Sequence, residues 1–330
     1  MKKVLKILGK ALAAVLALIL CALAVLIVVP MTETGDKSPV PGSGDWMAAL
    51  PDDMLLSEIV IPGTHDSGTQ YVQLAFFSKC QSLGIYDQLA AGYRYLDIRL
   101  GVDQHNDILR LMHGFTKCKT GNFSVDSLYL DAVLDDCYRF LDEHPGETIL
   151  FAVKQEHGDE SVADFENMLD ACIREKESYW LLTDTVPALG QARGKLVLLR
   201  RYADEANLGE RSGISFLWTN QSGSEDLSLN VCAEDNGAYT LYVQDRYEYG
   251  AEDKWSAFEA GMSAARAGRT EGDIALHFLS TKGTAAYGHP RHYAKALNDK
   301  LLRANLALDG WVIVDFASAP LAERIYSTNG

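Results

Sequence analysis

Eight short apolar segments, separated by longer segments with helical periodicity, constrain the fold of this chain more than any other feature. They cover residues 58–61, 93–100, 108–113, 148–154, 195–202, 240–245, 274–280 and 311–316. Several are almost continuously apolar, which is typical of parallel strands covered on both faces. Apolar residues recur at helical spacing in segments 130–141, 162–182, 252–267 and 293–306. The alternation predicts an α/β fold consisting of a single (β/α)8 TIM-type barrel.

The predicted barrel is irregular near its third strand. Only residues 101–107 separate the second and third apolar segments, and a crossover helix needs roughly a dozen residues. Pro62 and Gly63 also predict a turn at the end of the first strand. The whole chain, at 330 residues with 48% hydrophobic side chains, is long enough to bury a substantial core.

The charge balance argues against one class of partner. Lys and Arg number 30 against 45 Asp and Glu, which gives a formal net charge of −15. Binding to nucleic acid relies largely on attraction between basic side chains and phosphates. No nucleic-acid partner is therefore expected.

The N-terminal region contains a candidate membrane segment. Residues 11–29 carry no charge, and about 20 apolar residues allow a helix to cross a bilayer. Lysines precede this segment, so the positive-inside rule predicts a single-pass anchor with the remaining chain extracytoplasmic. We expect a signal-anchor or transmembrane segment (1–30), a flexible tether (31–45) and a folded domain (46–330). The tripeptide Ala22-Leu23-Ala24 also fits the small-residue pattern of a cleavage site, and cleavage there would yield a secreted protein.

Charged side chains cluster where the predicted strands end. They are His65, Asp66, Asp97, Arg99, His113, Lys154, Arg200, Arg201, Asp245 and Asp315. Taken singly, each could cap a turn or form a structural ion pair. Active sites of TIM barrels lie at the carboxyl ends of the strands, so together these side chains form a plausible acid and base set.

The same residues belong to motifs that resemble those of the secreted bacterial phosphatidylinositol-specific phospholipases C. The motifs are IPGTHDSGT (61–69), LDIR (96–99), MHG (112–114), GETI (146–149) leading to Lys154, GKLVLLRRY (194–202), VQDRY (243–247), GTA (283–285) and GWVIVDF (310–316). They occur in order between about residues 45 and 325. The resemblance implies metal-independent cleavage of phosphatidylinositol to diacylglycerol and inositol 1,2-cyclic phosphate. The N-terminal anchor departs from this family, whose familiar members are released by cleavage.

The resemblance also implies catalytic roles. His65 would be the general base on the inositol 2-hydroxyl, with Asp315 orienting its ring. Arg99 would stabilise phosphate charge in place of the calcium ion used by related enzymes. His113, paired with Asp66, would protonate the departing diacylglycerol oxygen. Asp97 would be a supporting carboxylate without an assigned role.

Substrate and membrane contacts follow from the same resemblance. Lys154, Arg201 and Asp245 would hydrogen-bond inositol hydroxyls, and Tyr247 would offer its ring to the sugar. Arg200 is the less favoured neighbour of Arg201, because alternate residues of a strand point in opposite directions. Phe76 and Phe77 would either enter the lipid interface or pack in the core.

Two other functions remain open from the sequence. One is a catalytically silent, membrane-tethered module that binds inositol phosphates, and the other is a metal-dependent glycerophosphodiester phosphodiesterase with carboxylates in place of Arg99. For the favoured function we expect no cofactor or metal, a monomer, and phosphatidylinositol or glycosylated inositol anchors as substrates. Five cysteines beyond the membrane segment leave disulfide pairing open and show no CxxC spacing typical of zinc sites.

Overall fold

The computed structural model describes residues 2–32, 38, 40–222, 232–235, 237–284 and 288–329. The helices are α1 (Lys2–Thr32), α2 (Ala75–Ser78), α3 (Ile85–Ala90), α4 (Leu130–Glu143), α5 (Val162–Glu175), α6 (Leu189–Ala192), α7 (Ala251–Gly268), α8 (Pro290–Arg303) and α9 (Ala319–Tyr326). The strands are β1 (Ile61–Thr64), β2 (Tyr95–Asp103), β3 (Ile108–His113), β4 (Thr116–Lys117), β5 (Ile149–Gln155), β6 (Trp180–Leu181), β7 (Leu196–Arg200), β8 (Ile214–Ser215), β9 (Cys232–Asp235), β10 (Thr240–Gln244), β11 (Ile274–Phe278) and β12 (Trp311–Val314).

A curled, mainly parallel sheet forms the centre of the molecule. Its strand order is β6-β7-β5-β2-β1-β12-β11-β10-β9, and β8 also pairs with β7. The predicted α/β class is therefore confirmed. Closure into a complete barrel is not seen in the described part of the chain, where no ladder joins β8 to β9 or β10.

Two sequence predictions about strands need correction. Residues 108–113 form a strand, but β3 runs antiparallel to β2 as a hairpin instead of forming a parallel barrel strand. The short connection noted in the sequence allows a hairpin and excludes a crossover helix. Pro62 and Gly63, predicted as a turn, lie within β1 and pair with β12. A Cβ at Gly63 would lie only 2.8 Å from Tyr95 Cβ on the neighbouring strand β2, so the close approach of these strands requires glycine there.

The predicted helix over residues 162–182 is shorter than expected. Helix α5 ends at Glu175, and a 3-10 turn over Glu177–Tyr179 then leads into β6. Apolar residues of this last part follow a helical spacing in the sequence, but Trp180 pairs with Leu196 of β7. Pairing with the sheet edge therefore overrides the local helical pattern.

Apolar layers cover both faces of the parallel strands, which explains their continuous apolar sequences. Side chains such as Tyr95, Leu150 and Val197 pack together inside the curled sheet. Their neighbours point to the outer face of the sheet. Along one part of the sheet they pack against α3, α4 and α5, and along another part they pack against α7, α8 and α9. The carboxyl ends of the strands are thereby held as a rigid rim.

The N-terminal helix α1 contains a segment, Lys2–Val25, that is long and apolar enough to cross a membrane. A signal sequence has the same properties. Part of the segment predicted as a tether packs on the domain, since a 3-10 helix covers Ser43–Ala49 and the buried Ser43 hydroxyl donates to the Ala90 carbonyl oxygen at 2.6 Å. Residues 33–37 and 39 lie outside the described residues.

Candidate active site

A cavity of about 610 Å³ opens at the carboxyl ends of the parallel strands. Nine of the ten predicted catalytic and inositol-binding residues line it, namely His65, Asp66, Arg99, His113, Lys154, Arg201, Asp245, Tyr247 and Asp315. Asp97 lies fully buried directly beneath it, bonded to Arg99. Arg200 is buried away from this lining and donates to the Tyr202 carbonyl oxygen. The structure therefore brings the predicted catalytic and inositol-binding side chains to one site.

The turn after β1 presents two of these side chains. Asp66 adopts a left-handed backbone conformation with φ of 45°, which aspartate tolerates better than most residues. The Asp66 backbone N–H donates to Asp97 Oδ2 at 3.1 Å, and the Ser67 N–H donates to the Asp97 carbonyl oxygen. These bonds tie the turn to β2 and fix His65 and Asp66 beside Arg99.

His65 and Asp315 form a buried pair. His65 Nδ1 lies 2.8 Å from Asp315 Oδ1, and the carbonyl oxygen of His65 accepts from Gln81 Nε2 at 2.8 Å. Burial lowers the pKa of His65, but the neighbouring carboxylates of Asp315 and Asp66 outweigh that effect and raise it above its usual value. With Nδ1 held by Asp315, Nε2 is the nitrogen that faces the cavity.

One carboxylate lies between the two imidazoles. Asp66 Oδ2 is 3.2 Å from His65 Nε2 and 3.3 Å from His113 Nδ1. The other oxygen of Asp66 lies 3.3 Å from Arg99 Nε. A phosphodiester bound beside Arg99 would therefore have one imidazole near each of two ester positions, which is the arrangement needed for paired proton transfer.

Arg99 is surrounded by carboxylates. Its guanidinium lies 3.0 Å from Asp97 Oδ2 and 3.3 Å from Glu156 Oε1, in addition to its contact with Asp66. Burial alone would lower the pKa of Arg99, but these carboxylates raise it well above its usual value. Burial would likewise raise the pKa of Asp97, but Arg99 and Arg201 hold it well below its usual range. Arg99 is thus a permanent, fixed positive charge at the cavity floor.

The opposite wall carries groups suited to a polyol. Arg201 Nη1 lies 2.8 Å from Asp97 Oδ1, and its guanidinium carbon lies 3.8 Å from the centre of the Trp218 ring. Trp218 Nε1 donates to Asp245 Oδ2 at 3.2 Å. The Tyr247 hydroxyl donates to Asn220 Oδ1 at 2.8 Å.

Sequence reasoning missed Glu156, Trp218 and Asn220. Glu156 Oε2 lies 2.5 Å from Lys154 Nζ, and its Oε1 contacts Arg99 and accepts from the Gly114 backbone N–H at 3.0 Å. Its position two residues after Lys154 places both side chains on one side of the chain, which was a usable signal. Trp218 and Asn220 lie in an irregular segment without a motif.

Phe76 and Phe77 occupy different environments on α2. The Phe76 ring stacks on His289 with their centroids 4.1 Å apart. Phe77 is 40% exposed and contributes to the cavity lining. Phe76 is therefore half-buried and Phe77 exposed, and insertion of either residue into lipid stays a prediction.

His65, Asp66 and Cys80 bring potential ligand atoms within 4.8 Å of one another. A metal ion there would compete with Arg99, whose charge already neutralises Asp66. Burial raises the pKa of the Cys80 thiol well above its usual value, so the thiolate form that metals prefer is disfavoured.

Among cysteines whose side chains are described, Cys21, Cys80, Cys118, Cys137 and Cys172 are free thiols.

Known proteins resemble this chain in sequence and in fold. A family model described as phosphatidylinositol-specific phospholipase C, X domain, matches residues 56–202. The 1-phosphatidylinositol phosphodiesterase of Staphylococcus aureus is 28% identical over 306 residues, covering 87% of this chain and 91% of that protein. The 1-phosphatidylinositol phosphodiesterase of Listeria monocytogenes is 28% identical over 305 residues, covering 86% and 84%.

A solved structure of the Staphylococcus aureus phosphatidylinositol-specific phospholipase C, from work on modulation of its membrane binding, matches with a TM-score of 0.68. It is 26% identical in sequence, and the match covers 86% of this chain and 97% of that chain. The family resemblance of the sequence motifs is therefore confirmed. The chain is thus similar in sequence and in fold to bacterial phosphatidylinositol-specific phospholipases C.

Proposed function

We propose that this protein is a metal-independent phosphatidylinositol-specific phospholipase C that releases diacylglycerol and inositol 1,2-cyclic phosphate. One observation carries the proposal: the guanidinium of Arg99 lies beside Asp66, and Asp66 contacts both His65 and His113. The fixed cation supplies charge stabilisation for one phosphodiester, and the two imidazoles supply its proton carriers.

The first step is an intramolecular attack. Neutral His65 accepts the proton of the inositol 2-hydroxyl, and the 2-oxygen forms a new bond to phosphorus. The developing imidazolium is stabilised by Asp315 at 2.8 Å. Because nucleophile and phosphorus are joined through the inositol ring, the substrate itself supplies the proximity.

Arg99 and His113 complete the reaction. Arg99 stabilises the negative charge that grows on the phosphate oxygens, as a guanidinium can through two parallel hydrogen bonds. The bond from phosphorus to the glycerol oxygen breaks, and His113, positioned by Asp66, gives that oxygen its proton. A slower hydrolysis of the cyclic phosphate would use the same two histidines with their roles exchanged.

The inositol ring would lie against the opposite wall. Lys154, Arg201 and Asp245 are proposed to hydrogen-bond its hydroxyls, with Tyr247 under the ring face. Each of these three polar side chains already has a partner: Lys154 bonds to Glu156, Arg201 to Asp97, and Asp245 to Trp218. The groups are therefore held in place before substrate binds. Glycosylated inositol anchors are proposed as a second substrate class.

We further propose that residues 1–30 anchor the protein in the cell membrane, that residues 31–45 link the anchor to the domain, and that the domain is monomeric and extracytoplasmic. The supporting observation is a helix segment, Lys2–Val25, with high hydropathy and no burial against the protein. The lysines before it favour a cytoplasmic N-terminus. Protein secreted after cleavage would lack this segment, and mass spectrometry of protein isolated from membranes distinguishes the two forms.

The full-length protein in mixed micelles with phosphatidylinositol and EDTA tests the chemistry. We expect inositol 1,2-cyclic phosphate by phosphorus NMR, and we expect His65→Ala to abolish it. Turnover only after calcium is added would refute the role of Arg99 and favour a metal-dependent phosphodiesterase. Binding of inositol phosphate without any turnover would favour a catalytically silent module.

A further inference from the structure

A buried dipeptide between α2 and α3 contacts the elements that carry the proposed proton carriers. Cys80 and Gln81 are fully buried, and they lie in the irregular connection between the two helices. Polar groups buried in this way need hydrogen-bond partners inside the protein. Here the partners lie at or next to His65, Asp315 and His113. We name Cys80 and Gln81 the clasp.

The side-chain amide of Gln81 joins the ends of β1 and β12. Its Nε2 donates to the carbonyl oxygens of His65 and Val314, at 2.8 and 2.9 Å. Its Oε1 accepts from the Ala317 N–H at 3.0 Å. These bonds reach the chain just before and just after Asp315, and they also reach the backbone of the histidine that Asp315 contacts. Gln81 therefore fixes the backbone separation between His65 and Asp315.

The backbone of Cys80 connects the same two elements. Its N–H donates to Thr69 Oγ1 at 3.0 Å, and the Thr69 hydroxyl donates to the carbonyl oxygen of Asp66 at 2.7 Å. Its carbonyl oxygen accepts from the Phe316 N–H at 2.7 Å. Phe316 has a left-handed φ of 52°, which a bulky residue adopts only where its surroundings hold it there. The clasp thus supports the turns after β1 and after β12.

The thiol of Cys80 faces the proposed general acid. Its Sγ lies 3.8 Å from His113 Nδ1, a distance at which sulfur acts as a weak hydrogen-bond acceptor. The same nitrogen lies 3.3 Å from Asp66 Oδ2. Burial raises the pKa of the thiol well above its usual value, so the thiol stays neutral and adds no negative charge beside Asp66. Cys80 therefore contributes to the orientation of the His113 ring and leaves its charge balance to Asp66.

We propose that the clasp positions the two proton carriers separately, with Gln81 holding the pair of His65 and Asp315 and Cys80 holding His113. This inference rests on the proposed function, because the roles of general base and general acid are assigned there. Every substrate needs the base, whereas only a substrate with a poor leaving group needs the acid. Adjacent residues of the clasp should therefore give different kinetic signatures.

Two substrates separate these signatures in the full-length protein. They are phosphatidylinositol in mixed micelles and a nitrophenyl inositol phosphate, whose leaving group needs no proton. Gln81→Met should lower kcat about 10- to 100-fold on both substrates, because a small displacement of the base slows each reaction. KM should not change, since the clasp makes no bond to Lys154, Arg201 or Asp245. An effect confined to KM overturns the proposal.

The Cys80→Ala variant should affect one substrate only. Loss of one hydrogen bond to His113 corresponds to about a two- to tenfold decrease in kcat on phosphatidylinositol, with no change on the nitrophenyl substrate. If Cys80→Ala and Gln81→Met change the ratio of the two activities in the same way, the proposal is wrong. Gln81→Glu keeps an acceptor for the Ala317 N–H, and it repeats the test if Gln81→Met does not fold.

Two matched variants control for a general loss of packing. Asn329→Leu removes an amide that bonds both backbone groups of Val60, at the amino end of β1. Cys137→Ala removes a fully buried thiol from α4. Both should keep the parent kinetics on both substrates, with folding checked by thermal unfolding. Losses in these controls equal to those in the clasp variants overturn the proposal.

NMR of isotope-labelled histidine side chains distinguishes failure of the clasp from failure of the proposed function. Cys80→Ala should shift the ring nitrogen signals of His113 and leave those of His65 in place. Unchanged His113 signals overturn the proposal, whether or not the protein turns over. If the parent protein cleaves neither substrate, the proposed function fails, and the same spectra still decide whether Cys80 holds the His113 ring.

Discussion

The pair formed by His65 and Asp315 provides a quantitative test of the proposed mechanism. Asp315→Asn keeps the size of the side chain and removes the negative charge that faces His65 Nδ1. Asp315 is only 3% exposed, so water has little access to replace the lost interaction. The substitution should therefore affect His65 with little change elsewhere.

The expected magnitude follows from the 2.8 Å contact between His65 Nδ1 and Asp315 Oδ1. A hydrogen bond to a charged group contributes about 1.5–3 kcal/mol. If the bond strengthens by that amount as the imidazolium forms, Asp315→Asn should lower kcat/KM about 10- to 150-fold. A larger loss is expected if the amide donates to Nδ1, because that selects the wrong histidine tautomer.

The pH dependence has a defined sign. Burial lowers the pKa of His65, whereas Asp315 and Asp66 raise it and prevail. A general base must be neutral, so activity of the parent protein falls as the pH drops through this raised pKa. Asp315→Asn removes one of the two carboxylates that raise it, and the acid limb of the kcat/KM profile should move to lower pH.

A double-mutant cycle distinguishes positioning from a direct contact with substrate. Cleavage of phosphatidylinositol in mixed micelles is measured for the parent, Asp315→Asn, His65→Ala and the double variant. If Asp315 acts through His65, it should have almost no further effect once His65 is absent. Multiplicative losses, or an acid limb that stays in place in Asp315→Asn, would refute the reasoning.

Three further predictions follow from the site and the core. His113→Ala should slow cleavage of phosphatidylinositol about 10²- to 10⁴-fold but should scarcely affect a nitrophenyl inositol phosphate, whose leaving group needs no proton; equal losses on both would exclude a general acid role. Glu156→Gln should lower kcat/KM about tenfold or more by loosening Arg99 and Lys154, whereas the exposed Glu175→Gln should have no effect; identical kinetics in the two variants would contradict this. Burial lowers the pKa of Lys254 to about 7 from 10.5, so its unfolded form binds more protons between these values and the free energy of unfolding should rise with pH there; Lys254→Met should flatten this rise in denaturant titrations, and an unchanged slope would count against it.

The sequence predicted most of the strands because both faces of the sheet are covered. Burial on both sides produces continuous apolar segments, and β7, which is buried along its whole length, lies within its predicted range of 195–202. The direction of β3 was not predicted, since apolar content does not record whether a neighbour is parallel or antiparallel. Pro62 and Gly63 were predicted as a turn from local preference, whereas Gly63 is required in β1 by the close approach of Tyr95 Cβ on β2.

The candidate site was predictable to the extent that its residues lie in motifs at strand ends. His65, Arg99 and Asp315 project from the sheet rim at positions that the strand order brings together. Trp218 and Asn220 come from an irregular segment, so only the folded chain brings them to Arg201 and Tyr247. Contacts of this kind depend on tertiary geometry and leave no periodic signal in the sequence.

The arrangement of charge around Arg99 is also the physical reason to expect that the site acts without a divalent cation. Three carboxylates, Asp66, Asp97 and Glu156, would repel one another if they were buried without a cation. Arg99 contacts all three, while Arg201 and Lys154 supply further positive charge to Asp97 and Glu156. Because the guanidinium is held on these sides, it cannot follow the substrate as a mobile ion would. Its stabilisation is therefore available before the phosphate charge develops, which is the condition for an electrostatic contribution to catalysis.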